Sequence, residues 1–308
     1  LQPTVGIARL MWGHGVFNHR IEGFTSLACM KQYEFPKMIA EIATILPEEM
    51  WAKERHATGF PMNKVTYRTP DYHLSSAQDL LPGTAGSAEH IWQATLGPGA
   101  IVFVTNPGSS YEGTGMAPGY WVGNASLPRI AQWKNTLIAI YDLPEQDWMG
   151  FTHAYFPVKA FDDYHLREGW AFSRKGDGYL AITASQGIDL VKQGSQAFKE
   201  LRSPRGKVVW VCHMGREALD GDFRSFQEKI LDLPVQFGEL SVKLSTLLGD
   251  ELSFDFSHPF LVNGDEIPLS DYLHFESLYS STPLNSKQMD IVYDDSVLRL
   301  DFSFQSES

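Results

Sequence analysis

The sequence predicts a mainly β protein, a large antiparallel β-sandwich preceded by a short α-helical segment. From about residue 65 onwards, apolar and polar residues follow the period of strands. Turns rich in Gly and Pro separate these stretches at short intervals, as in antiparallel sandwiches. Before that point apolar residues recur at helical spacing. We therefore divide the chain into a helical segment, residues 1–62, and a β-sandwich domain, residues 63–308.

The helical segment contains three predicted helices. Residues 5–17 place their apolar side chains on one broad face, and residues 35–46 repeat that spacing with a Pro near the first turn. A further short helix is predicted to start at Pro47 and to include Trp51. So few helices cannot close a core of their own. We expect them to dock on the β region or to end a larger helical domain.

The β region is predicted to contain two sets of strands around one helix. The helix covers residues 222–231, where apolar residues lie on one face. Asn263-Gly264 is a tight-turn dipeptide, and Lys175-Gly-Asp-Gly178 joins the clearest hairpin. The predicted strands cover residues 65–68, 72–78, 89–95, 100–105, 120–124, 135–141, 151–156, 169–174, 178–183, 207–213, 241–247, 251–256, 260–262, 289–293 and 297–302.

One predicted strand pair indicates a sheet with a polar working face. Alternation over residues 89–95 puts His90 and Trp92 on one side and Gln93 on the other. Residues 100–105 are almost wholly apolar, as in a strand covered on both sides. Residues 120–124 and 151–155 show the same mixture of aromatic and polar side chains. These segments are therefore predicted to line one cleft.

Composition excludes several classes of function. The formal charge of -12 and the pI near 5.3 argue against binding to nucleic acid or to an anionic membrane, because both require a basic surface. No apolar run approaches the length of a membrane span. Cys29 and Cys212 have no metal-ligand spacing and lie in apolar contexts, which predicts buried free thiols.

Four local strings resemble the heparinase II/III-like polysaccharide lyases. They are residues 72–79, 89–97, 119–124 and 170–178, and the resemblance covers residues 60–185. That family joins a helical toroid to a β-sandwich. The resemblance implies β-elimination on a polysaccharide that contains uronic acid, secretion or periplasmic export, and a toroid domain N-terminal to this chain. The family's closely spaced histidines with a later Asp are not recognisable here. We therefore predict no cofactor, with a divalent metal left open.

His153 and Tyr155 are the first candidates for catalysis. Elimination requires a base, an acid and a group that neutralises the carboxylate, and His and Tyr transfer protons near neutral pH when their pKa values are shifted. A strand over residues 151–155 puts both side chains on one face. The alternative is that both are half-buried sandwich residues bonded to the backbone.

Further candidates come from the other polar strands. His90 and His73 are proton-transfer candidates, while Trp92 and Trp121 offer indoles for sugar stacking. Gln93, Asn124 and Arg174 are candidates for binding a carboxylate. Each has an ordinary structural alternative. Asn124 also begins an Asn-Ala-Ser glycosylation sequon, and Arg174 precedes a turn where solvated charges are common.

Two other functions remain open. A glycoside hydrolase needs two carboxylates about 5 to 10 Å apart. The candidates for such a pair are Glu89, Asp79, Asp162, Asp163 and Glu168. The third possibility is a carbohydrate-binding or purely structural sandwich. The aromatic content of 13% suits ring stacking, and it also suits an ordinary β core.

Overall fold

The computed structural model describes residues 36–45, 47–56, 61–112, 115–204 and 206–303. The helix predicted over residues 5–17 and Cys29 lie outside these residues. No helix in the described part of the chain combines the length and the apolar character needed to cross a membrane.

The described residues are mainly strands, with a short helix on the N-terminal side, which confirms the predicted fold class. The helices are α1 (Lys37–Thr44), α2 (Glu217–Asp220) and α3 (Phe223–Asp232), and Val158–Ala160 form one 3-10 turn. The strands are β1 (Met50–His56), β2 (Met62–Arg68), β3 (His73–Gln78), β4 (Trp92–Gly97), β5 (Ala100–Thr105), β6 (Arg129–Trp133), β7 (Thr136–Asp142), β8 (Phe151–Tyr155), β9 (Asp163–Arg167), β10 (Trp170–Lys175), β11 (Gly178–Ala184), β12 (Asp189–Leu190), β13 (Glu200–Pro204), β14 (Lys207–Arg216), β15 (Val235–Phe237), β16 (Ser241–Ser245), β17 (Glu251–Asp255), β18 (Phe260–Val262), β19 (Asp265–Ile267), β20 (Phe275–Ser277), β21 (Ser281–Thr282), β22 (Gln288–Tyr293) and β23 (Ser296–Asp301).

These strands form antiparallel sheets of very different size. The largest has ten strands in the order β12-β13-β8-β5-β4-β3-β2-β1-β20-β21, and a second has six in the order β6-β7-β14-β11-β10-β9. Strands β15 to β19 form a five-stranded sheet in sequence order, and β22 pairs with β23. Most neighbours in a sheet are close in the chain, as hairpin connections require.

The six-stranded sheet is the middle layer of the fold. Along β14, Trp210 and Cys212 face a core shared with the ten-stranded sheet, while Val209 and Val211 face a second core. Helix α3 and the five-stranded sheet cover that second side, with Phe226 of α3 fully buried. A strand covered on both sides must be apolar at every position, and β7, β11 and β14 follow this rule almost throughout.

Several local predictions are confirmed. The helix predicted over residues 35–46 is α1, and that over 222–231 is α3, whose Asp222 side chain accepts a hydrogen bond from Ser225 N. The hairpin around Lys175-Gly-Asp-Gly178 joins β10 to β11. Cys212 is a buried free thiol.

Two segments differ from their predictions. The short helix predicted at residues 47–51 is wrong, because β1 starts at Met50 and pairs along its length with β2. Partners distant in the chain override a weak local helix preference here. The boundary between residues 62 and 63 stays a prediction, and β1 lies on its N-terminal side.

The strand predicted at residues 120–124 is also wrong. The segment consists of bends, with one isolated bridge between Gly86 and Asn124. Gly123 has a φ of +75°, and a Cβ atom there would lie 2.1 Å from the carbonyl oxygen of Ser87. Only glycine fits this close approach of two backbone segments.

His213 is a buried histidine of β14 with an incomplete set of partners. Its Nδ1 atom lies 3.0 Å from the Thr136 hydroxyl, and Nε2 has no hydrogen-bond partner among the described residues. Burial lowers the pKa of His213 to about 3. An unfolded histidine titrates near pH 6.5, so the unfolded chain takes up this proton first. The neutral His213 side chain therefore makes its full contribution to the free energy of unfolding above about pH 6.5. That contribution decreases as the pH falls from there towards 3.

We expect His213→Gln to reduce the pH dependence of stability. Between pH 7 and pH 5, the wild-type free energy of unfolding should lose about 2 kcal/mol through this one group, and a glutamine cannot take up the proton. Urea unfolding at the two pH values measures the difference. The same exchange at exposed His274 is the control. An unchanged pH dependence in His213→Gln would contradict this assignment.

Candidate functional site

The candidate site lies on the outer face of the ten-stranded sheet, which is the side turned away from the six-stranded sheet. Alternation assigns the side chains: Val102 and Val104 of β5 and Ala154 of β8 face the core, so Phe103, His153 and their alternating neighbours face outward. In the register of the sheet, Thr105 stands opposite His153 and Phe103 opposite Tyr155. His153 and Tyr155 therefore share one face, as the sequence predicted.

The centre of this face is the Glu200 cluster, which we define as Glu200, His153, Tyr120 and Arg202. Glu200 and His153 have 0% exposed side chains. The carboxylate lies 3.0 Å from Nδ1 of His153 and accepts the Tyr120 hydroxyl at 2.9 Å. Arg202 donates to Glu200 from Nε. Its Nη2 atom donates to the Tyr120 hydroxyl over 2.7 Å. A buried carboxylate needs this many donors to offset its lost hydration.

The proton positions follow from these partners. Desolvation of the Glu200 carboxylate raises its pKa, but hydrogen bonds from His153 and Arg202 outweigh that effect, so the pKa is lowered and the group stays ionised. Burial raises the pKa of Tyr120, with the Glu200 charge acting in the same direction, so the hydroxyl keeps its proton. Tyr120 is therefore a hydrogen-bond donor here and a poor base.

His153 has an acceptor at each ring nitrogen. Nδ1 faces Glu200, and Nε2 lies 2.9 Å from the backbone carbonyl oxygen of Tyr120. Full burial lowers the pKa of His153, and Glu200 acts in the opposite direction. Whichever ring nitrogen of His153 carries a proton, it donates to Glu200 or to the Tyr120 carbonyl. Neither nitrogen is free for a substrate in this arrangement.

Trp121 covers the cluster from outside. Its indole stacks on the His153 ring with centroids 4.0 Å apart and planes 6° from parallel. The indole N–H donates to Gln196 over 3.2 Å, which fixes the ring in this position. Trp121 also contacts Tyr155 edge-on at 5.4 Å. The half-buried Trp121 is thus the outer surface of a site whose histidine is closed to solvent.

Two buried asparagines hold the segment that carries Tyr120 and Trp121. The backbone N–H of Asn106 donates to Oδ1 of Asn124, and Oδ1 of Asn106 accepts from Ser126 N, both over 2.9 Å. The Asn106 amide group also donates to the Phe151 carbonyl at the start of β8. These bonds replace a sheet ladder and tie the segment to the ends of β5 and β8.

Aromatic rings extend the site across the sheet. Tyr155 stacks on Phe103 with centroids 5.4 Å apart, and His90 meets the edge of Phe103 at 4.6 Å. On the other side, the Arg202 guanidinium lies 4.5 Å from the centre of the Phe151 ring. His90 is exposed, whereas Tyr155 and Phe151 are half-buried. The structure thus brings His153, Tyr155, Trp121 and His90 together.

A polar stripe runs beside these rings on β3 and β4. His73 Nε2 lies 2.9 Å from the Ser75 hydroxyl, and Gln93 donates to the Thr95 hydroxyl over 2.8 Å. Ser75 stands opposite Gln93 in the register of the two strands. His73 and Gln93 therefore lie on the outer face, although they make no contact with the Glu200 cluster.

Trp92 and Arg174 lie away from the outer face, and Asn124 is buried. Trp92 is 2% exposed in the core between the two large sheets, so its ring presents no surface to a sugar. His90 precedes β4 and contacts the opposite face, which corrects the predicted alternation of His90 with Trp92. Asn124 is buried, and its glycan-acceptor atom Nδ2 has no solvent exposure. Arg174 lies on the α3 side of the six-stranded sheet, beside His165 and Arg224.

The sequence analysis missed Glu200 and Arg202 and gave Tyr120 no role. The stretch Glu200-Leu-Arg202 places two opposite charges on one side of a strand and a buried leucine on the other. This alternation over residues 199–203 was the signal available. It is short, and a Glu-x-Arg pair is common on solvated strands.

The remaining two hypotheses are a metal site and a pair of carboxylates for hydrolysis. In the described part of the chain, no three His, Cys, Asp or Glu side chains are placed to hold a metal ion. Of the carboxylates considered for hydrolysis, Asp79 pairs with Arg129 at 3.0 Å, Asp162 with Lys175 at 2.6 Å and Glu168 with Arg167 at 3.2 Å. These partners are typical of structural ion pairs.

Comparisons with protein-family models, with curated proteins and with solved structures find no match.

We expect Glu200→Gln to lower the free energy of unfolding by about 3 kcal/mol. The exchange removes the negative charge beside buried His153. It also places an amide NH₂ group against the donors of Arg202 and Tyr120. Urea unfolding measures the loss. The same exchange at exposed Glu239, which pairs with Lys207, should leave stability close to that of the wild type. Equal stability of the two variants would show that the Glu200 cluster does not hold the sheet.

Proposed function

We propose that the protein binds carbohydrate through the outer face of its ten-stranded sheet, around Trp121 and Tyr155, and through Trp148 in the connection between β7 and β8. Sugar recognition needs exposed aromatic rings for stacking and fixed polar groups for hydroxyls. Half-buried Trp121 and Tyr155 offer the rings, and the partly exposed Arg202 side chain and the polar stripe of β3 and β4 offer donors and acceptors.

The observation that carries this proposal is the fixed exposure of Trp148, between β7 and β8. Its side chain is 65% exposed, yet the indole N–H donates to the Gly108 carbonyl over 2.8 Å. The adjacent turn is also fixed, since buried Asp147 accepts from Gly150 N at 2.7 Å. An exposed ring held in one orientation loses little entropy when a ligand stacks on it.

Elimination on a uronic-acid polysaccharide is the second candidate. The Glu200 cluster favours it by joining a histidine, a tyrosine and an arginine, the residue types that this chemistry uses. His153 would have to lose the cover of Trp121, and the raised pKa of Tyr120 does not suit a base. The same geometry supports binding without such a rearrangement, so we rank binding first.

We expect Trp148→Ala to weaken retention of the protein in gels that contain a polysaccharide, by about tenfold in apparent Kd, because a stacked sugar contributes on the order of 1 to 2 kcal/mol. Affinity electrophoresis against neutral and uronic-acid polysaccharides measures the change.

The matched control is Phe302→Ala, which removes an exposed ring of similar accessibility beyond β23 and should not alter retention. The same polysaccharides are incubated with the protein and followed by ultraviolet absorbance. Retention without the absorbance of an unsaturated uronic acid supports binding. Accumulation of that absorbance, abolished by His153→Ala, would favour the lyase instead, and an absence of retention on every polysaccharide would refute the binding proposal.

A further inference from the structure

A cleft of about 260 Å³ lies where three sheets meet, on the inner side of β1 and β2 and apart from the outer face. Glu49, Trp51 and Lys53 line it from β1 and the residue before it. Trp133 at the end of β6 and Tyr272 after β19 close it from the other sheets. No residue predicted for the site lies in this cleft. Junctions between structural units are common places for small-ligand sites.

The walls of the cleft are fixed by hydrogen bonds. The Tyr67 hydroxyl donates to Glu49 over 2.6 Å, and the Trp133 indole N–H donates to Asp250 over 2.7 Å. The Tyr272 hydroxyl donates to the Pro268 carbonyl over 3.2 Å. Aromatic rings with tethered polar ends cannot turn to fill the space, so the cleft is formed before any ligand enters.

Charges of both signs surround the cleft. Lys53 lies 5.3 Å from the centre of the Tyr272 ring and Lys134 5.5 Å from that of Trp133. Lys134 also pairs with Asp250 at 3.1 Å. Among the described residues Lys53 makes no ion pair, although Glu276 stands opposite it in β20. Carboxylates at Glu49 and Glu276 oppose this charge, which disfavours an anionic ligand and suits an uncharged, hydroxyl-rich one.

We propose that this cleft binds one uncharged pyranose unit of a carbohydrate, stacked on Trp51. No described cation lies over the half-buried Trp51 ring, whereas lysines lie over Tyr272 and Trp133. Lys53 donates to the sugar hydroxyls and Glu49 accepts from them. The volume suits a single sugar ring rather than a chain. The ligand class rests on the proposed carbohydrate function, and the site rests on residues of its own.

The test is a titration of protein labelled with ¹⁵N at its tryptophans, using methyl glycosides of glucose, galactose, mannose and xylose, with glucuronate as the anionic comparison. We expect saturable shifts of the Trp51 and Trp133 indole signals with at least one neutral glycoside, and weaker ones with glucuronate. Trp51→Phe assigns the Trp51 signal. Lys53→Gln should weaken binding about fivefold, while Lys192→Gln, an exposed lysine at the opposite end of the sheet, should not.

Three outcomes would overturn the proposal: no shift with any neutral glycoside, tighter binding of glucuronate, or equal affinity in Lys53→Gln and wild type. Trp51→Phe keeps an aromatic ring against the core but offers a smaller face to the sugar, so a loss of affinity in this variant, with unfolding by urea unchanged, also supports stacking. Polysaccharide retention and its dependence on Trp148 are measured separately. If the cleft binds no glycoside but the outer face binds carbohydrate, polysaccharide retention and its dependence on Trp148 stay unchanged.

Discussion

The constraint on which this face of the protein depends is the burial of the Glu200 carboxylate. A carboxylate out of contact with water stays ionised only if donors surround it, and here they come from three separate parts of the chain. His153 lies on β8, Arg202 on β13 itself and Tyr120 on a segment without regular structure. Satisfying one charge therefore fixes β13 at the side of the sheet and brings the Tyr120-Trp121 pair over it.

The middle sheet supplies the rigidity that such a polar cluster requires. Strands β7, β11 and β14 are buried on both sides, and their side chains alternate between two separate cores. The ten-stranded sheet uses one face for the first core, which leaves its outer face free for polar and aromatic residues. A link between the layers is the hydrogen bond from the Trp210 indole to the Thr152 hydroxyl, directly behind His153.

The sequence could predict what depends on local pattern and could not predict what depends on distant partners. Strands with clear alternation and Gly-rich turns, such as β10 and β11, lie where their residues indicate. The strand β1 was missed because its stability comes from pairing with β2 and β20. The same limit applies to the site. Alternation put His153 and Tyr155 on one face, but the partner of His153 lies 47 residues away on a short strand that local pattern did not reveal.

The proton arrangement is the reason why we propose binding rather than turnover for this site. A general base needs a free lone pair directed at the substrate and a pKa near the working pH. In the Glu200 cluster the lone pairs of Glu200 accept from its own neighbours, Tyr120 retains its proton, and both His153 nitrogens face acceptors under Trp121. The hydrogen bonds of these groups are thus all made within the cluster, and none is directed at a substrate. What the cluster offers outward is the fixed face of Trp121 and the partly exposed side of Arg202, which are the groups that the proposed binding function uses.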